Sequence, residues 1–266
     1  MSGPTSAPLL DFFRRGEVPL DARLLAAQGI LAPRAHEQIG ILILLLEDPD
    51  SAVRTAAAQT IDRLPLEPLC AFLGRDDVPL GIREFFADRG VFPAEIPAIT
   101  ADVPLLDFEP DAAEETGGDA TSDETSDETR EALFLRLQKL GFSERLKAAL
   151  RGSREMRAIL IRDTHRIIPA AVLSSPKISE AEVESFASMA TVSEDVLRII
   201  AGNRAWTRHY GIVLALVRNP KTPLALSLNM LSRLNDRDLH ALSLNRNIPD
   251  PLRTAARRKV VFGERR

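Results

Sequence analysis

The chain has a single cysteine, Cys70, and few aromatic residues, which make up 5% of its 266 positions. One cysteine can form neither an internal disulfide nor a multi-cysteine zinc or iron–sulfur site, which excludes disulfide-rich secreted scaffolds and zinc modules. We therefore expect a reducing, cytoplasmic compartment. The longest apolar run, Ile41–Leu46, is far shorter than the ~20 residues that cross a bilayer, and the N-terminus has no signal-peptide pattern. We expect no membrane association.

The sequence also lacks the patterns that mark catalytic and metal sites. Its four histidines are scattered, and no HExxH motif, phosphate loop, nucleophile elbow or dinucleotide fingerprint occurs. We therefore expect no cofactor and no metal, and we predict that the protein is not an enzyme. An enzyme with an unrecognised site is the third hypothesis, behind two binding functions described below.

Charge is distributed unevenly along the chain. Residues 1–100 carry 9 Lys and Arg against 14 Asp and Glu, residues 101–130 carry 1 against 11, and residues 131–266 carry 24 against 13. The middle range includes the tetrapeptide Thr-Ser-Asp-Glu twice in succession. Such a stretch buries little apolar area and repels itself, so it predicts an acidic, disordered, flexible linker. The linker separates an N-terminal helical segment, 1–100, from a basic C-terminal helical-repeat domain, 131–266.

Both flanking parts favour helices over strands. Short apolar-faced stretches are separated by Pro, Asn, Asp and Gly, with almost no polar and apolar alternation. Ser179 followed by Glu182 predicts a capping box, and Ser193 predicts a further helix start. One buried helix face is predicted by four residues at helical spacing, namely Val53, Ala57, Ile61 and Leu64. The fold class is therefore all-α.

The predicted helices are short, at about two to three turns each. Such helices are not stable alone because nucleation is costly and their ends leave backbone groups unpaired. Each one must pack against its neighbours. We predict an α-solenoid of short stacked helices, with a compact, non-repetitive helical bundle as the alternative.

Two parts of the chain resemble known helical repeats. Residues 46–57, with the pair Val53-Arg54 followed by small residues, resemble a HEAT-type repeat. Residues 217–223 and 244–249 resemble the leucine-rich-repeat variant, a HEAT-like family. The resemblance implies a curved α-solenoid that recruits partners, and it implies no reaction. Repeat lengths are uneven here, and the cysteine cluster that holds an iron–sulfur cluster in some members is absent, so that cofactor is not carried over.

Asparagine supplies the first group of candidate partner-binding residues. All six asparagines lie between positions 203 and 247. At helix ends, asparagine tolerates unusual backbone conformations and bonds the backbone of the adjacent turn. The functional alternative is a row that hydrogen-bonds a peptide backbone or nucleic-acid bases. Asn203, Asn219 and Asn235 are spaced 16 residues apart, which keeps this alternative open.

Basic and aromatic residues supply the other candidates. The basic candidates are Arg145, Lys147, Arg154, Arg157, Arg253 and Arg257. They form either a solvated helix face or a surface for nucleic acid, an acidic partner protein or the chain's own linker. Trp206 and Arg208 belong to the densest aromatic and polar cluster, which is either an anchor between repeats or a recognition hot spot.

These features predict a non-enzymatic protein-binding scaffold or adaptor of helical-repeat type. The alternative is a nucleic-acid-binding α-solenoid that uses the basic domain, 131–266. Binding of random DNA or RNA that weakens steeply with salt would favour the alternative.

Overall fold

The computed structural model describes residues 8–31, 34–94, 105–106 and 127–263. Within these ranges the chain forms α-helices and two short 3-10 helices, and no strand. The helices before residue 95 are α1 (Pro8–Arg14), α2 (Leu20–Ala27), α3 (Ala35–Leu45), α4 (Ser51–Asp62), α5 (Leu66–Leu73) and α6 (Leu80–Ala87). The predicted all-α class is confirmed.

Ten α-helices follow in the described range 127–263. They are α7 (Asp127–Lys139), α8 (Phe142–Arg151), α9 (Arg154–Leu160), α10 (Ile167–Ser174), α11 (Glu180–Ser188), α12 (Glu194–Gly202), α13 (Tyr210–Arg218), α14 (Leu224–Met230), α15 (Asp236–Leu244) and α16 (Asp250–Gly263). The 3-10 helices are Trp206–Arg208, before α13, and Leu231–Arg233, after α14.

Local capping explains where several helices begin. The predicted capping box of α11 is present, because the Ser179 hydroxyl accepts a hydrogen bond from the Glu182 N–H and the Glu182 carboxylate accepts one from the Ser179 N–H. The Ser193 hydroxyl caps α12 by accepting a hydrogen bond from the N–H of Val196. Proline precedes the first residue of other helices, as Pro223 does before α14. Its fixed φ suits a helix start, and it has no N–H to leave unpaired.

Most helices pack against the next helix but one. α1 contacts α3, α2 contacts α4, and the pattern continues from α7 to α9, α8 to α10, α9 to α11, α10 to α12 and α11 to α13. The predicted face of α4 is buried in this packing. α3 buries Ile39, Ile41 and Leu42 and leaves Ile43 and Leu44 half-buried, so it is largely internal, as its uniformly apolar sequence predicts.

The first helix joins the helices of the N-terminal part to those of the C-terminal part. α1 packs against α10, and α10 is buried along its whole length. An ion pair between Arg166 and Glu17, at 3.1 Å, links the same two parts of the chain.

Most of the predicted linker, 101–130, lies outside the described residues. Of that range, Leu105, Leu106 and the first residues of α7 are described. The prediction of a flexible linker and of two flanking domains therefore stays a prediction.

Candidate partner-binding edge

Hydrogen bonds join the turn after α8 to the turn after α10. The hydroxyl of Ser175, which ends α10, donates to the carbonyl oxygen of Leu150 in α8 at 2.8 Å. From α9, the guanidinium of Arg157 donates to the carbonyl oxygens of Gly152 at 2.9 Å and Lys177 at 3.4 Å. These bonds hold the two turns side by side.

A buried ion pair strengthens this junction. Arg157 and Glu182 are each 4% exposed, and two guanidinium nitrogens of Arg157 each donate to one carboxylate oxygen of Glu182 at 3.0 Å. Glu182 also accepts from the backbone N–H and the hydroxyl of Ser179, at 3.0 and 3.1 Å. One carboxylate therefore serves the ion pair and the cap of α11, which fixes the start of that helix against α9.

Further contacts extend the series to two more turns. His209 Nε2, just before α13, lies 2.7 Å from Glu180 Oε1 at the start of α11. Arg233 donates to the carbonyl oxygen of Thr207. The backbone N–H of Asn235, the N-cap of α15, donates to the Tyr210 hydroxyl oxygen at 3.3 Å. Four turns, 151–153, 175–179, 203–209 and 233–235, thus lie in order along one edge of the helix stack.

We name this row of turns the basic edge, because every turn carries an exposed cation in it or in the first turn of the helix that follows. The cations are Arg154, Lys177, Arg204, Arg208 and Arg237. Among the described residues, these five side chains form no hydrogen bond and no ion pair. Exposed guanidinium and ammonium groups without partners leave their charge available to an anionic ligand.

The opposite ends of the same helices form a second row of turns, 161–166, 189–193, 219–223 and 245–249. Asn219 lies buried there and donates to the carbonyl oxygens of Ala187 at 2.8 Å and Met189 at 3.0 Å. The ammonium of Lys221 donates to the carbonyl oxygen of Val192 at 3.2 Å. This row repeats the bonding between turns, but several of its cations are already engaged.

The basic edge also carries carboxylates. Glu180 contacts His209, Glu155 accepts from the Ser153 hydroxyl at 2.9 Å, and Asp236 is exposed beside Arg237. The surface is therefore mixed in charge, and it has more cations than carboxylates without a partner in the part of the chain that the structure describes.

Tyr210 and Asp238 form a polar cluster at one end of the basic edge. The Tyr210 hydroxyl donates to one carboxylate oxygen of Asp238, and Arg218 donates to the other at 2.9 Å. Partial burial, together with the hydrogen bond to the Asp238 carboxylate, raises the pKa of the Tyr210 hydroxyl above its usual value of 10.0. The phenol therefore keeps its proton, and its bond to Asp238, beyond the usual pH range.

The structure places the three regularly spaced asparagines in different roles. Asn203 and Asn219 end helices, and their side-chain oxygens accept from the N–H two residues later, at 2.9 and 3.0 Å. Asn235 begins a helix and accepts from the Asp238 N–H at 2.8 Å. Asn219 is buried, so the three do not form one exposed row. Asn203 and Asn235 lie in turns of the basic edge.

The predicted basic residues also separate into groups. Arg154 and Arg208 lie on the basic edge, and the half-buried Trp206 lies in the same turn as Arg208. Arg157 is internal, and a buried, fully paired guanidinium is not accessible to a partner, so we leave it out of the proposed surface. The remaining basic candidates lie elsewhere: Arg145 pairs with Asp163, Lys147 is exposed on α8, Arg253 pairs with Asp250, and Arg257 donates to the Ser243 carbonyl oxygen.

Sequence reasoning missed Lys177, Arg204 and Arg237. Each stands one or two residues after a cap: Lys177 follows Ser175, Arg204 follows Asn203, and Arg237 follows Asn235. A search for basic residues at that position, rather than for dense basic stretches, would have found them.

A cleft of about 320 Å³ opens where α1 meets α12, and it was not predicted. Phe12 and three arginines contribute to its lining. Two of these arginines are already paired, because Arg166 bonds Asp195 at 2.7 Å and Arg198 bonds Glu194. Of these two ion pairs, both largely exposed, only that between Arg166 and Asp195 joins two parts of the fold, namely the start of α10 and α12.

No group of three or more His, Cys, Asp or Glu residues in the described ranges could hold a metal ion. No helix there has both the length and the apolarity that a membrane crossing needs. No family model matches the sequence, and no curated protein or solved structure matches it either. The resemblance to HEAT-like repeats and the leucine-rich-repeat variant therefore stays a prediction.

Proposed function

We propose that this protein is a non-enzymatic binding protein of helical-repeat type that holds an extended acidic segment of a protein partner along its basic edge. The observation that carries the proposal is a set of five exposed cations that have no partner among the described residues. They lie on four turns that hydrogen bonds and side-chain contacts hold in register. Fixed turns present their cations at fixed positions, which lowers the entropy lost on binding.

The proposed architecture is an α-solenoid. It is supported by the contacts between each helix and the next but one, from α7 through α13, and by side chains such as Ser175 and Asn219 that bond the end of an earlier helix. In a solenoid each unit contacts its neighbours, so turns at equivalent positions form a continuous row.

The dimensions of such a row indicate the form of the ligand. Packed helices lie about 8–10 Å apart, and an extended chain advances about 3.3–3.6 Å per residue. One step between turns therefore corresponds to about three residues of extended peptide. In the polyproline II form of an extended chain, with three residues per turn and about 3.1 Å per residue, acidic side chains at every third position lie on one face and would meet a cation at each turn.

The carboxylates on the basic edge favour a protein partner over nucleic acid. Asp236 is exposed beside Arg237, and Glu155 and Glu180 lie on neighbouring turns. A continuous phosphate backbone would be repelled by these groups, whereas a peptide can place neutral side chains opposite them.

The experiment measures binding of the full chain to a synthetic peptide with glutamate at every third residue and serine between. Arg208→Glu replaces an attraction with a repulsion, and combining it with Arg204→Glu should weaken binding tenfold or more at low salt, or about 1.4 kcal/mol. The matched control is Arg246→Glu, which reverses an exposed cation on the opposite row and should leave affinity within twofold.

Two results would contradict the proposal. Equal losses for Arg208→Glu and Arg246→Glu would mean that net charge, rather than the basic edge, attracts the peptide. Tight binding of random duplex DNA with a steep salt dependence, lost in the Arg204 and Arg208 double variant, would favour the nucleic-acid function instead.

A further inference from the structure

Gln38 is a buried amide that bonds a distant piece of backbone. It lies in the first half of α3 and is 1% exposed. Its Oε1 accepts from the backbone N–H of Leu105 at 2.9 Å and of Leu106 at 3.4 Å. Its Nε2 donates to the carbonyl oxygens of Gly29 at 2.9 Å and Leu106 at 3.4 Å. The full bonding capacity of the amide is thus used, mainly on one dipeptide.

The side chain of Leu106 occupies space that Gly29 leaves open. Gly29 ends the turn after α2 with φ +80, a conformation that favours glycine. A Cβ on Gly29 would stand 3.0 Å from Leu106 Cδ1 and 3.3 Å from Thr60 Cγ2. We name the surface formed by Gly29, Gln38 and Thr60 the Gln38 groove. In this groove Gln38 hydrogen-bonds the backbone of the bound segment, and Gly29 and Thr60 leave space for one leucine side chain.

Apart from the bonds to Gln38, the dipeptide is held by side-chain packing, because both leucines pack against the hydrophobic core. Leu105 and Leu106 are half-buried, and no backbone–backbone hydrogen bond among the described residues includes either of them. Their bonds to Gln38 use only backbone N–H and C=O groups, and the bend at this dipeptide presents two successive N–H groups to one oxygen. Another segment with the same bend can make the same bonds, whereas an empty groove would leave the buried oxygen of Gln38 without a donor.

We propose that the Gln38 groove is a recognition site for a bent Leu-Leu segment of a partner protein, and that residues 105 and 106 occupy it within the chain until such a segment displaces them. The chemistry of the ligand follows from the segment seated there, which has two successive leucines in a non-helical backbone. The Gln38 groove is separate from the basic edge, so a test of this site does not depend on the proposed function.

The test uses a fluorescent synthetic peptide that copies residues 102–109 of this sequence. In the full chain, Leu105→Ala with Leu106→Ala weakens the internal occupant. This variant should bind the peptide at least tenfold more tightly than the wild-type chain does. Adding Gln38→Leu should abolish the gain, and so should alanine in the peptide at the position that corresponds to Leu106. No gain in affinity for the double-alanine variant overturns the proposal.

A second measurement needs no variant and so does not depend on the folding of one. Excess peptide added to the wild-type chain should displace residues 105 and 106 and speed hydrogen exchange at their backbone amides. Unchanged exchange at saturating peptide contradicts the proposal. The wild-type chain would instead form concentration-dependent dimers, which the peptide dissociates, if the segment is exchanged between two copies. The occupant would then be a second copy of this chain and not a partner protein.

Discussion

Replacing Arg157 by methionine tests whether the buried ion pair holds the turns of the basic edge together. Methionine keeps much of the aliphatic stem but removes the guanidinium. It leaves the Glu182 carboxylate 4% exposed without its cation, and it takes a donor from the carbonyl oxygens of Gly152 and Lys177. Removing one partner of a buried ion pair costs about 3–5 kcal/mol because the other charge stays desolvated. We expect the free energy of unfolding to fall by that amount.

A matched surface pair provides the control. Arg198 and Glu194 form an ion pair one helical turn apart, but their side chains are 57% and 53% exposed. Exposed pairs of this kind contribute about 0.3–0.5 kcal/mol. Arg198→Met should therefore lower the free energy of unfolding by less than about 1 kcal/mol.

A double variant separates charge burial from packing. Arg157→Met combined with Glu182→Leu removes both charges, so no buried carboxylate is left without a cation. Most of the lost stability should return, because apolar replacements of buried ion pairs are often neutral. A deficit of about 1 kcal/mol should persist, since Glu182 also caps α11 through Ser179.

The assay is urea denaturation, and unfolding is monitored by far-ultraviolet circular dichroism and by the fluorescence of Trp206, the single tryptophan. The reasoning is refuted if Arg157→Met costs no more than Arg198→Met. It is also refuted if the double variant is less stable than Arg157→Met alone.

Two further predictions concern other parts of the structure. Tyr210 is the single tyrosine, so an absorbance titration of the full chain reports the ionisation of this phenol alone. Because the pKa of Tyr210 is raised, the midpoint of the titration should lie above 10.0. Asp238→Asn should lower that midpoint, whereas the control Asp236→Asn should leave it unchanged. The stabilisation linked to this shift is present below the ordinary pKa and is lost as pH rises through the folded-state pKa. Gly29→Ala should lower the free energy of unfolding, measured by urea denaturation, by about 1–3 kcal/mol more than Gly90→Ala does. Both glycines have positive φ, but only a Cβ at Gly29 would meet a leucine methyl at 3.0 Å. Equal losses for the two variants would contradict this close approach.

The elements that sequence predicts best are those fixed by neighbours in the chain. The capping box joins Ser179 and Glu182, which are three positions apart, and it is present. The apolar spacing from Val53 to Leu64 lies within one helix and the two residues after it, and that face is buried. Local signals of this kind decide that a helix forms, where it begins and which side faces the core.

The role of Arg157 could not be predicted because it depends on a residue 25 positions away. Arg154 and Arg157 share a helix face by spacing, and the sequence offers no reason to separate them. In the structure Arg154 is exposed, while Arg157 is buried against Glu182. Only the packing of α9 against α11 decides which arginine pairs internally and which one faces solvent.

The asparagines were ambiguous for a different reason. Asparagine serves both ends of a helix, since its side-chain oxygen accepts from a backbone N–H two or three residues later in either case. Successive turns alternate between the two edges of the helix stack, so Asn203 and Asn219 lie in opposite rows although both end helices. Equal spacing therefore predicts one row only when its members lie in every second turn, as Asn203 and Asn235 do.

Lys177 shows how the two properties of the basic edge are connected. Its carbonyl oxygen accepts a hydrogen bond from the buried Arg157, whereas its ammonium group is exposed and unpaired among the described residues. The backbone of the turn is thus fixed from the inside, and the side chain is left to solvent. Because Arg233 fixes the turn at Thr207 by the same kind of bond, Arg208 next to it is placed in the same way. Arginines that bond turn carbonyls position the neighbouring exposed cations, and of these two arginines only Arg157 is buried and therefore inaccessible to a partner.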